Sequence, residues 1–201
     1  MRMAVQMPAM KKLVLIGDSI RMGYEATVRT ELAGLADIWT PAENGQHTVN
    51  LLLRFTEWVV QQKPDVLHIN AGLWDTRNVI RGQPGNIVPL EIYRLNVRRL
   101  LAYCKANAAK VIWATMTPID QAKNLATHAA TGIPARQAPD IALYNQAAVE
   151  ECHAAGVPVN DLHAFIKDGR ENLRSDDGVH YTGDGYAQLG RRVASVLREY
   201  L

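Results

Sequence analysis

A serine near one end of the chain and a histidine with its carboxylate near the other could together perform nucleophilic catalysis. Ser19 lies in KKLVLIGDSIRMGYE, residues 11–25, where an apolar run passes straight into Gly17-Asp18-Ser19. Asp177 precedes His180 by three residues in SDDGVHYTGDGYAQLG, residues 175–190, within a glycine-containing turn. A serine hydroxyl is a weak nucleophile at neutral pH. It becomes effective when an imidazole takes its proton and a carboxylate fixes the tautomer of that imidazole. Taken singly, each residue has a plainer use. Asp18 and Ser19 are both favoured helix N-caps, Asp177 is a turn former with Asp176 as its equal competitor, and His180 is an ordinary loop histidine.

These residues need a scaffold that brings two distant segments together. Short runs rich in Val, Ile and Leu recur at 12–16, 36–40, 65–70, 110–116 and 156–160. They read as strands buried on both faces, the mark of a parallel sheet. Helical patterns alternate with them at about 21–34, 49–62, 88–107, 138–155 and 184–200. In the third, Ile92, Leu95, Arg99, Leu100 and Leu101 recur near the helical period, and in the fourth Ile141, Tyr144, Ala148 and Cys152 do so. The alternation predicts right-handed crossovers and a three-layer α/β/α sandwich of about five parallel strands, flavodoxin-like in order. In such folds ligands sit beyond the carboxyl ends of the strands. Ser19, the Asn44-Gly45 turn, the Gly72 to Asp75 turn and Thr117-Pro118 each follow a strand and should share one rim. The long stretch 118–139 reads as an irregular lid or substrate loop, with His128 and Arg136 in it as residues that could touch substrate.

Composition narrows the function further. The chain has 201 residues, 48% hydrophobic and 21% charged, the profile of one globular domain over 11–201 preceded by a tail at 1–10. Its 22 basic and 20 acidic residues give a net charge of +2, with no basic run that would mark a nucleic-acid partner. Cys104 and Cys152 lack zinc-type or C-x-x-C spacing and read as buried thiols in a reducing compartment. Leu13 to Ile16 is too short for a signal peptide or membrane span, so a cytoplasmic location without a membrane partner is expected. His47, His68, His128, His153 and His163 have no paired spacing, so no metal or other cofactor is implied. Oligomeric state leaves no mark in the sequence.

The two terminal motifs together, on this strand and helix pattern, resemble the SGNH or GDSL-type hydrolases across essentially the whole chain. DGVHYTGDGYAQLG is similar to the closing block of that family, and YNQAAVEECHAAGVPVNDLH to its penultimate helix and strand. The resemblance implies an ester hydrolase with Ser19 as nucleophile, His180 as general acid and base, and Asp177 as its orienter. It also implies an oxyanion hole drawing on the Ser19 N–H and on a glycine N–H, for which Gly45 is the nearest candidate. A gapless comparison anchored on Thr48 puts Gln46 at that place instead.

One departure concerns the family's G-x-N-D block, whose asparagine donates to the oxyanion. Here the block reads Gly72-Leu73-Trp74-Asp75. Loss of one such donor commonly costs about 3–4 kcal/mol of transition-state stabilisation. The Trp74 indole N–H can donate, and Trp74 equally suits an aromatic wall. Asn70, about 13 Å back along an extended chain, is the less favoured donor. Asn70, Gly72, Asp75 and Val179 are assigned to the substrate pocket, with Asp75 also capping its turn, and Asn145 and Asp161 are expected to tie loops together. The expected activity is hydrolysis of short-chain esters, acetyl esters above all and carbohydrate acetates among them, with a small-molecule ester as the partner. The alternative is a non-catalytic carbohydrate-binding module on the same fold, with Trp74 stacking on a sugar ring. Phosphoryl transfer at Asp18 fits poorly, because neither a P-loop nor a second acidic residue two positions on is present.

Overall fold

Leu13 to Ile16, almost free of solvent contact, lie on an inner strand of a parallel five-stranded sheet. The computed structural model describes residues 10–79, 85–132 and 135–201; the expected tail at 1–10 lies, apart from Met10, outside them. The strands are β1 (Lys11–Ile16), β2 (Ala36–Trp39), β3 (Val66–Ile69), β4 (Lys110–Ala114) and β5 (Val159–Asn160), in the order β2-β1-β3-β4-β5. All four pairings are parallel. Ile16 pairs with Ile69, and Ile69 with Trp113. The central strands therefore end level, and their following turns emerge on one rim.

The helices are α1 (Ser19–Glu31), α2 (Thr48–Leu53), α3 (Leu90–Asn107), α4 (Gln121–Thr131), α5 (Ala138–Ala155), α6 (Leu162–Lys167) and α7 (Gly183–Arg198). α1 packs on α7, and α3 packs on α5 and α2. The core between these layers and the sheet includes Tyr24, Leu67, Trp58, Tyr93 and Trp113, all at or below 1% exposure. Each such aliphatic or aromatic side chain contributes about 1.5–3 kcal/mol by burial. Among the described residues no helix is long and apolar enough to cross a membrane.

The approach of α1 to α7 joins the two ends of the chain. A Cβ on Gly23 of α1 would fall 2.1 Å from the Tyr186 ring, and one on Gly190 of α7 would fall 2.5 Å from the Thr27 side chain. Both sites need glycine so that the helices can close up. The turn before α7 is thereby brought against the start of α1.

Three sequence expectations are corrected. The stretch 118–139 is not an irregular lid: it carries α4, with Asp120 capping the Lys123 N–H at 3.0 Å and Gly132 ending the helix at φ +71°. Of its residues, 133 and 134 lie outside the described ones. The helix expected over 49–62 is α2 followed by a π-helical turn at Thr56–Val60, which turns both Trp58 and Val59 inward. β2 is an edge strand, partly exposed rather than buried on both faces.

Candidate active site

Asp18, not Ser19, caps α1. Its Oδ1 accepts from the Ile20 N–H at 2.9 Å. Ser19 occupies the first helical position, with its hydroxyl released toward the rim and its own N–H unpartnered among the described residues. Such first-turn N–H groups have no intrahelical acceptor.

The Ser19 Oγ lies 2.7 Å from His180 Nε2, and His180 Nδ1 lies 2.5 Å from Asp177 Oδ2. The other Asp177 oxygen accepts from the Val179 N–H at 2.8 Å, the His180 N–H at 2.9 Å and the Ser175 hydroxyl at 2.8 Å. Partial burial pushes the Asp177 carboxyl up, but these hydrogen bonds, that of His180 first, outweigh it and hold it well below the usual carboxylate range. An ionised Asp177 donates nothing, so the Nδ1 of His180 must carry the proton between them. Nε2 is left as the acceptor for the serine hydroxyl. The line from hydroxyl to carboxylate is thus set to draw a proton off Ser19.

The rim turns converge around this line. Asp75 is fully buried and accepts from the Thr48 N–H at 3.1 Å and the Thr48 hydroxyl at 2.5 Å, fastening the start of α2 to the turn after β3. Burial raises the Asp75 carboxyl to about 6 against these two bonds. Asn145 brackets Met116, with Oδ1 accepting from its N–H at 2.8 Å and Nδ2 donating to its carbonyl at 2.9 Å. Asp161 accepts from the Thr115 hydroxyl at 2.9 Å and from the Ala164 N–H at 3.0 Å. Asp18 is fully buried, and its carboxyl is pushed up by desolvation against the Ile20 N–H and the charge of Arg136.

Several expected site residues take other places. The Gly45 N–H donates to the Gly17 carbonyl at 2.9 Å, so it is already committed and does not face an incoming oxyanion. Its neighbour Gln46 adopts φ +55°, a conformation glycine takes most readily, with its N–H on Asn44 Oδ1 at 2.8 Å. Asn70 is not remote from the serine. It is 4% exposed and packs so closely on Gly17 that a Cβ there would fall 1.9 Å from its Oδ1. Gly72, at φ +137°, abuts Met116, and Val179 is 5% exposed. Asn70, Gly72, Asp75 and Val179 are all buried. Trp74 is half-buried, with the Arg77 guanidinium 5.6 Å from its ring centroid and no hydrogen bond on its indole N–H among the described residues.

Other supports carry little sequence signal. Arg21 is 1% exposed and donates to the carbonyls of Pro41 at 3.0 Å and Glu43 at 3.1 Å, clamping the 41–46 loop. A charged residue in the core-facing phase of Ile20, Tyr24 and Val28 was the available hint. Asn124 of α4, fully buried, donates from Nδ2 to the Asp177 carbonyl at 3.3 Å, and its Oδ1 accepts from the Arg136 N–H at 3.1 Å. The Asp120 N–H donates to the Gly178 carbonyl at 2.7 Å. α4 thus braces the turn that bears Asp177 and His180.

A parallel sheet of this order, with a serine, an imidazole and a carboxylate in one hydrogen-bonded line beyond its strand ends, is a three-layer α/β/α sandwich. The GDSL-like lipase/acylhydrolase family matches residues 15–188, and the chain belongs to that family of carboxylic ester hydrolases. No curated protein matches it in sequence. Among solved structures it is similar to a lipase/acylhydrolase from Enterococcus faecalis, at 22% identity and TM-score 0.79 over 94% of this chain and 96% of that one. It is also similar to a GDSL-like lipase from Bacteroides thetaiotaomicron, at 22% identity and TM-score 0.75 over 98% and 94%. An acetylxylan esterase from Geobacillus stearothermophilus is similar at 21% identity and TM-score 0.72 over 94% of each chain. At these identities the likeness establishes the shared fold.

Proposed function

We propose that the protein is a serine esterase that hydrolyses short-chain carboxylic esters, acetyl esters above all and acetylated carbohydrates among them, through an acyl-enzyme on Ser19. The observation that carries this reading is the 2.7 Å contact of Ser19 Oγ with an imidazole whose far nitrogen is held by Asp177. Family membership supports the ester as the bond that is cut, and the acetylxylan esterase of like fold supports the acetyl group and the sugar.

In this reading His180 Nε2 takes the Ser19 proton as Oγ attacks the ester carbonyl. The Ser19 N–H donates to the oxyanion. The Gln46 N–H, bound to Asn44 Oδ1, is no freer to join it than that of Gly45, bound to the Gly17 carbonyl. His180 then passes the proton to the departing alcohol, and the acyl group stays on Oγ. Water attacks that acyl-enzyme with His180 again as base, and the carboxylic acid leaves as Ser19 regains its proton. Asp177 remains ionised throughout and stabilises the imidazolium.

Ser19→Ala should abolish turnover of p-nitrophenyl acetate while the circular dichroism spectrum is retained; persistent turnover would remove Ser19 as nucleophile. A chain-length series of aryl esters tests the acyl preference. A maximum at octanoyl or longer would overturn it.

A further inference from the structure

Arg136 is the feature of the site region that the esterase reading leaves unused. The residue is 9% exposed, yet no carboxylate forms an ion pair with it among the described residues. Its Nε donates to the Leu73 carbonyl, next to Trp74. Its main chain is held on both sides: the N–H by Asn124 at 3.1 Å, and the carbonyl by Gln121 Nε2 at 3.1 Å. Asn124 in turn holds the Asp177 carbonyl. The guanidinium therefore lies between the turn after β3 and the turn that carries Asp177 and His180. Neither of its terminal nitrogens has a hydrogen bond among the described residues.

A buried, unpaired cation is costly, and arginine does not escape the cost by losing its proton. Burial lowers its pKa only to about 10, so it stays charged at neutral pH. The two carboxylates whose charge it feels, Asp18 and Asp177, do not close on it. Asp18 spends one oxygen on capping α1 and makes no ion pair with the guanidinium among the described residues, and both oxygens of Asp177 are taken by Ser175, Val179 and His180. Arg77, stacked near Trp74, adds a second positive charge to the same rim. Without these arginines an anion entering beside two aspartates would be repelled. With them, the free edge of the Arg136 fork presents parallel N–H groups matched to a carboxylate.

Resting on the esterase reading above, we infer that Arg136 forms a carboxylate-binding subsite of the ester pocket, and that the favoured substrates carry a carboxylate beside the scissile ester. The carboxylate could belong to the alcohol or to the acyl part, and two matched substrate pairs separate these. 3-Acetoxybenzoate against its methyl ester places the charge on the alcohol side. Mono-4-nitrophenyl glutarate against 4-nitrophenyl pentanoate places it on the acyl side.

The quantity read is the ratio of kcat/KM for the charged ester to that for its neutral partner. In Arg136→Met this ratio should fall about 10- to 100-fold in one pair, the size of one charge-assisted hydrogen bond, and Arg136→Lys should restore part of it. A ratio that moves less than about threefold in both pairs overturns the inference, even if both absolute rates fall, because that is the signature of a residue that merely pins the Leu73 carbonyl.

A binding arm does not depend on turnover. In the Ser19→Ala background, 3-acetoxybenzoate or the glutarate monoester should raise the melting temperature more than its neutral partner does, and the difference should vanish on adding Arg136→Met. Equal shifts for charged and neutral ligands in both pairs before that substitution would also overturn the subsite. Turnover by Ser19→Ala would instead refute the nucleophile and leave the binding comparison standing.

Discussion

Gly178 sits in the turn between Asp177 and His180, and replacing it with alanine should unseat both. It adopts φ +75°, and an added Cβ would lie 2.6 Å from both the Asn124 nitrogen and the Asp120 carbonyl oxygen, which are main-chain atoms of the α4 N-terminus. Gly156, at the end of α5, provides the comparison. It has φ +66° and nothing within 4 Å of its would-be Cβ. Each Gly→Ala change carries a left-handed strain of about 1–2 kcal/mol, partly offset by the stiffer unfolded chain. These contributions cancel in the difference between the two variants. What is left is displacement of backbone from 2.6 Å toward ordinary contact beyond 3.4 Å. That movement breaks the Asp120–Gly178 bond and stretches the Asn124–Asp177 bond, at about 1 kcal/mol each. Gly178→Ala should therefore unfold in urea with about 2 kcal/mol less stability than Gly156→Ala. A shift approaching 1 Å in the turn should also cost it about 100-fold in kcat/KM on p-nitrophenyl acetate, with Gly156→Ala close to wild type. Equal stability losses in the two variants would refute the claim that α4 is pressed against the turn bearing Asp177 and His180.

Further expectations concern the relay and the core. Asp177→Asn should lower kcat on p-nitrophenyl acetate by roughly 10³- to 10⁴-fold, because an amide that donates to Nδ1 favours the wrong imidazole tautomer; steady-state kinetics check it, and a loss below tenfold would remove Asp177 from the relay. His68 is fully buried, and desolvation lowers its pKa from 6.5 to about 4. The unfolded chain therefore binds this proton first as pH falls, and stability is lost between pH 6.5 and 4 by about 3 kcal/mol. Asp75, raised to about 6, works oppositely: the folded state binds its proton first, so stability is gained as pH falls from 6 toward 3.8. The two nearly cancel in the wild type. His68→Leu should thus become more stable toward pH 4.5 relative to pH 7 in urea titrations, and an unchanged pH slope would count against a neutral buried His68.

What the sequence made readable, and what it hid, follows from where each property is encoded. Strand runs such as KLVLI announce buried parallel strands through side-chain type, and the sheet order agrees with the flavodoxin-like expectation. ADIW has a similar composition yet forms an edge, because edge position depends on which strand has no further neighbour. α4 went unseen because only Asn124 among its residues is buried. A helix that packs through one amide and its own backbone has no apolar stripe to reveal it. The same division separates the site's parts. Ser19, Asp177 and His180 stand out because the proposed chemistry requires those side chains, whereas an oxyanion donor is a main-chain N–H that any residue supplies. Glycine therefore made Gly45 the natural choice, yet its N–H closes onto Gly17 and the left-handed position falls on Gln46. Arg136 lies at the far end of this scale. A guanidinium among polar loop residues looks solvated until the fold buries it without a counter-ion among the described residues, and that burial carries the case for an anionic substrate.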